Sequence, residues 1–151
     1  MLLVLFATFG LPGCTPGATA AGAGAGGTAA TTIDISLTSS TAVATQYGTA
    51  GGYAPAVTMV ALGSTVRFVN VDSISHTASS FGGTAFPSAS PLGGSALNTN
   101  GATLSGGWTS GTLAAGTASQ PLLADRAGTY LFGCFFHYDA TPPMRGAIIV
   151  Q

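Results

Sequence analysis

The chain has 151 residues, enough for one domain; 46% are hydrophobic and only 5% charged, so it can build a core but carries almost no charged surface. It holds 26 Ala, 23 Gly, 21 Thr and 14 Ser, no Lys and no Glu, and a formal net charge of −1. Three scattered arginines, Arg67, Arg126 and Arg145, cannot neutralise a phosphate backbone, which excludes nucleic-acid binding, and a phosphate-loop lysine is absent. Nothing in the sequence supports a paired-carboxylate hydrolase built from Asp34, Asp72, Asp125 and Asp139.

Residues 2–9, LLVLFATF, form an apolar run too short to span a bilayer. Leu11-Pro12-Gly13-Cys14 follows at once. Together, residues 1–14 resemble a bacterial lipoprotein signal, with a small residue just before an acceptor Cys. The resemblance implies export to the periplasm or the cell surface, with anchoring through a lipidated Cys14 rather than a membrane span. Residues 15–30, TPGATAAGAGAGGTAA, lack periodicity and large apolar side chains, and are expected to be a flexible linker.

From residue 31 to 151 the signal is strand-like. Thr31–Leu37 alternates around Ile33, Ile35 and Leu37. Val57–Val60 is short and apolar, which marks Met59 as core. Ser64–Val71 places Val66, Phe68 and Asn70 on one face. Gly128–Cys134 does the same with Tyr130, Phe132 and Cys134, and Gly146–Gln151 closes the chain. Ala42–Tyr47 and Ser119–Leu123 are weaker strand candidates. No segment carries a sustained helical period with caps, so the expectation is an all-β sandwich. Phe81–Gly107, rich in Gly, Ser, Ala and Asn, reads as a long loop that is functional, partly structured or mobile. Tyr130, in the run from Asp125 to Tyr130, has the pattern of a corner tyrosine bonded to nearby backbone.

The rarest residues are the most informative. Cys134, His137 and Met144 fall within eleven residues, CFFHYDATPPM, in one loop between the last two strands. His76 lies past the far end of the Ser64–Val71 strand. A sandwich gathers such loops at one end. One thiolate, two imidazoles and a thioether form the donor set of a blue-copper site, whereas structural zinc wants four strong donors.

On these residues the chain resembles the cupredoxin family, in particular its plastocyanin- and pseudoazurin-like type 1 (blue) copper proteins. The match runs through Tyr53–Val60, Gly63–Thr77, Ser110–Gly116, Gly128–His137 and Met144–Val150. The resemblance implies a Greek-key β-sandwich, with His76, Cys134 and His137 as equatorial ligands of one copper ion and Met144 as the axial one. It implies a monomeric electron carrier, not an enzyme, whose redox donor and acceptor dock near His137, with Phe135, Phe136 and Pro142 or Pro143 as candidates for an apolar exit patch. Asn70 and Thr77 are expected to hydrogen-bond across to the Cys134 loop. Two features depart from the family pattern: six residues separate His137 from Met144, stiffened by Pro142-Pro143, and the stretch between His76 and Trp108 is long. Other readings of the chain are a copper-delivery protein of the same fold and a metal-free structural sandwich.

Overall fold

The computed structural model describes residues 30–151; the signal-like segment 1–14, Cys14 and nearly all of the 15–30 linker lie outside the described residues. Among the described residues twelve strands form: β1 (Thr31–Ile35), β2 (Val43–Thr45), β3 (Gly48–Ala50), β4 (Tyr53–Ala54), β5 (Val57–Val60), β6 (Thr65–Asn70), β7 (Ser79–Phe81), β8 (Thr99–Asn100), β9 (Thr109–Ser110), β10 (Leu122–Leu123), β11 (Gly128–Gly133) and β12 (Arg145–Val150). One sheet has the order β10-β6-β1-β4 and the other β5-β12-β11-β7-β9-β8, while β2 and β3 make a separate hairpin. The β1–β6 and β5–β12 pairs are parallel, so chain crossovers between the sheets, not simple hairpins, build the sandwich.

Alternation fixes which side chains enter the core. Ile33 and Ile35 of β1 and Val66 and Phe68 of β6 are fully buried, opposite Phe132 of β11 and Ile148 of β12. An aromatic cluster fills the space between the sheets. Phe132 meets Tyr53 edge-on at 4.8 Å and Phe68 at 5.1 Å, and Phe68 stacks on Trp108 at 5.2 Å. The Tyr130 hydroxyl donates to the Arg126 carbonyl at 2.7 Å, the corner bond expected from the sequence.

One expectation needs correction. Met59 is 60% exposed, not core: β5 is an edge strand, and its inward positions are taken by Thr58 and Val60. The Phe81–Gly107 stretch is partly structured. It holds a 3₁₀ turn at Gly94–Leu97 and strand β8, and it sends Leu104 into the core. The Leu104 N–H donates to the Leu123 carbonyl at 2.9 Å, so the segment covers β10, an outer strand of the smaller sheet.

Candidate metal centre

Strand β6 ends at Asn70, and the chain turns through 71–75 to deliver His76. Asn70 is fully buried and holds this turn from inside. Its side-chain amide donates to the carbonyls of Ile74 (2.7 Å) and Leu113 (2.9 Å), and its Oδ1 accepts from Asp72 N–H. Asn70 therefore braces its own loop and the 113 strap, and does not reach the Cys134 loop as expected. His76 is in turn locked to Leu113 by a reciprocal backbone pair at 3.1 and 2.8 Å.

Cys134 follows the last residue of β11, and Met144 precedes the first residue of β12. The adjacent positions of the two strands, Gly133 and Arg145, are paired in register, which brings the two ends of the Cys134–Met144 loop together. Cys134 N–H donates to the Met144 carbonyl and Met144 N–H to the His137 carbonyl, both at 3.1 Å. These bonds close the longer loop upon itself. Tyr138 anchors it further. The ring is buried against Gly133, its hydroxyl donates to the Pro87 carbonyl, and the Arg145 guanidinium lies 4.3 Å over its face. Arg145 also donates to the carbonyls of Tyr138 and Pro87. Burial pushes the Tyr138 phenol up to about 12.

The two loops meet. His76 Nδ1 lies 3.2 Å from His137 Nδ1, and Cys134 Sγ is 3.8 and 3.7 Å from those nitrogens. His76 and Cys134 are fully buried and His137 is half-buried. A point equidistant from the three atoms lies about 2.1 Å from each, the bond length of a first-row metal to nitrogen or sulfur donors. Met144, the fourth expected ligand, is fully buried in the same loop, and Gly52 packs directly against its side chain.

Thr77 joins the loops. Its N–H points at Cys134 Sγ (3.4 Å), and its Oγ1 accepts from Phe135 N–H (2.8 Å). Its carbonyl accepts from the buried Tyr53 hydroxyl at 2.7 Å. Burial, followed by the nearby Cys134, raises the Tyr53 phenol well above its ordinary value, so it stays a donor. Behind His76, Nε2 lies 3.2 Å from the carboxylate of Asp72. Burial works against that charge, but the Ser73 N–H, His76, the Thr38 hydroxyl and the Leu37 N–H outweigh it and hold the carboxyl well below the usual range. Burial and then the neighbouring His76 pull His137 below its ordinary value, which favours the neutral ring.

Asp72, Tyr138 and Arg145 were not singled out by sequence reasoning. Asp72 stands four residues before His76, a spacing that could have flagged it, whereas the Tyr138 and Arg145 contacts to Pro87 bridge more than fifty residues and leave no local signal.

The donor set favours one metal over another. Three strong donors and a thioether nearby suit copper, which accepts soft sulfur and imidazole in both oxidation states, better than four-coordinate structural zinc. Fold and donors together make an all-β sandwich whose His76, Cys134 and His137 cluster could hold one metal ion, with a donor set suited to copper.

No family model matches the chain, and no curated protein sequence does. Among solved structures it is similar to a purple cupredoxin from Nitrosopumilus maritimus, at 21% identity and a TM-score of 0.49, over 80% of this chain and 99% of that one. It is also similar to a mutant amicyanin in the reduced state, at 22% identity and a TM-score of 0.48, over 81% and 82% of the two chains. A copper-containing nitrite reductase from Thermus scotoductus is 19% identical with a TM-score of 0.48, and only 22% of its length is matched.

Proposed function

We propose that this protein carries single electrons between redox partners, with His76, Cys134, His137 and Met144 as the residues that would hold the copper ion. The observation that carries the reading is the buried triangle of one sulfur and two nitrogens, whose atoms all lie within 4.8 Å of one another. Copper, once bound, supplies a one-electron Cu(II)/Cu(I) couple. The protein's contribution is rigidity. Thr77, Asp72 and the reciprocal His76–Leu113 pair hold the donors from outside, so both oxidation states meet the same frame.

His137 is the half-buried member of the triangle and so the port for electrons. Phe136, 45% exposed with its ring centroid 6.1 Å from that of His137, and half-buried Phe135, Pro142 and Pro143 surround the port with apolar surface. Donor and acceptor dock there, one at a time, on a monomer. The signal-like residues 1–14 support export and a lipid anchor at Cys14, with the 15–30 linker between the anchor and the 31–151 domain. An electron carrier fits better than an enzyme with further coppers, because the two histidines of the chain are both taken by one site.

The test is repeated reduction and reoxidation of the copper-loaded protein in the presence of a competing chelator. A carrier keeps its copper through many cycles. Loss of Cu(I) to the chelator in each cycle would indicate delivery instead, and failure to take up copper at all would leave only a structural sandwich.

A further inference from the structure

Asp72 is an acid built into the rear wall of the site. It is 6% exposed, and donors surround it on every side that the structure shows. Its Oδ2 accepts from Leu37 N–H at 2.8 Å and Thr38 N–H at 3.3 Å, and faces His76 Nε2 at 3.2 Å. Its Oδ1 accepts from the Thr38 hydroxyl at 3.0 Å and from Ser73 N–H at 2.9 Å. Both oxygens act only as acceptors, as an ionised carboxylate does. Three of these bonds come from the 37–38 turn, more than thirty positions earlier in the chain, so the charge is fixed in place by a second loop.

That geometry has two consequences at His76. A ring whose Nε2–H donates to a carboxylate has its lone pair on Nδ1, and Nδ1 is the atom that faces Cys134 and His137. A fixed negative charge one imidazole away also favours the more positive of two metal oxidation states, and salt screens it little because it is buried. Resting on the copper reading above, we infer that Asp72 is a positioning residue that selects the ligating tautomer of His76 and biases the site toward Cu(II). Thr38 tempers this bias, since its hydroxyl neutralises part of the charge on Oδ1.

The test uses the full chain with Asp72→Asn and Thr38→Val. Dissociation constants for Cu(II) and Cu(I) are measured separately by chelator competition, and the His76 tautomer of the metal-free wild type is read by ¹⁵N NMR. Asp72→Asn should weaken Cu(II) at least about tenfold more than Cu(I), which for a one-electron couple raises the potential by about 59 mV. Thr38→Val, at an exposed position, should shift the ratio the other way, toward Cu(II). General damage to the site would move both variants in the same direction. The metal-free wild type should show His76 protonated at Nε2.

An unchanged ratio in Asp72→Asn, with wild type still binding copper through Cys134, overturns the inference and leaves the copper reading standing. Wild type that binds no copper overturns both. If Asp72→Asn does not fold, the other two measurements decide: a Thr38→Val shift away from Cu(II), or a His76 proton on Nδ1, refutes the role of Asp72.

Discussion

Gly52→Ala tests the link between the sandwich and Met144, the proposed fourth ligand. Gly52 has φ +73°, a left-handed conformation that costs an L-residue about 1–2 kcal/mol. A methyl group there would fall inside contact distance of Met144 Cγ and 2.9 Å from its Cβ and Cε. Met144 is fully buried, so it can yield only by disturbing the core, and overpacking of that kind costs about 1–3 kcal/mol. The total, about 2–5 kcal/mol, is a large share of the 5–15 kcal/mol typical of a domain. Gly63→Ala is the control. Its φ is +82°, but nothing lies within 4 Å of the added carbon, so only the backbone cost of about 1–2 kcal/mol applies. Denaturant unfolding of the metal-free proteins should show Gly52→Ala losing about 1–3 kcal/mol more than the control. After copper loading, Gly52→Ala alone should have an altered visible spectrum. Equal losses in the two variants, with equal spectra, would refute the placement of Met144 against Gly52.

Met144→Gln should retain copper but lower its potential, because an amide oxygen favours Cu(II) more than a thioether does; voltammetry showing no change would remove Met144 from the axial position. Copper affinity should fall in acid. Protons compete with the metal for the imidazole and thiolate donors, so the apparent affinity read by chelator competition should decline steadily as pH drops; an affinity independent of pH would contradict this. The His137 pKa is lowered by burial and then by His76, so His137 contributes stability to the metal-free fold above its ordinary value and loses it as pH falls through the folded value; denaturant unfolding of the metal-free protein in which His137→Gln leaves the pH dependence unchanged would contradict this. Electron self-exchange between copies should change less than about threefold between low salt and about 0.15 M, since few charges are available to steer docking at the His137 face. A steep dependence of the exchange rate on salt, followed by NMR line broadening, would contradict that.

What could be read from the sequence was what local pattern encodes. Strands β1, β6 and β11 announce themselves by alternation of β-branched and aromatic residues, β12 by its apolar run, and the candidate ligands by their rarity in a chain dominated by Ala, Gly, Thr and Ser. Strand β7, Ser-Ser-Phe, has no such pattern; it is a strand because β11 pairs with it at Ser79–Phe81. Strands β8 and β9 are two-residue polar segments that exist only by joining that edge. Met59 misled for the opposite reason: an apolar residue in an apolar run says nothing about whether its strand lies at an edge. At the site, Thr77 bonds across to the Cys134 loop while Asn70 turns inward to Ile74 and Leu113. Both side chains have suitable donors and acceptors, and only the three-dimensional path of the loops chooses between them.

The account depends most on one sulfur and two ring nitrogens enclosing a single metal ion. The visible absorption spectrum of the protein with one equivalent of Cu(II), beside that of Cys134→Ser, tests this directly. An intense thiolate-to-copper charge-transfer band that bleaches on reduction, returns on oxidation and is absent from the variant is the predicted result. A wild-type spectrum indistinguishable from that of Cys134→Ser would contradict it.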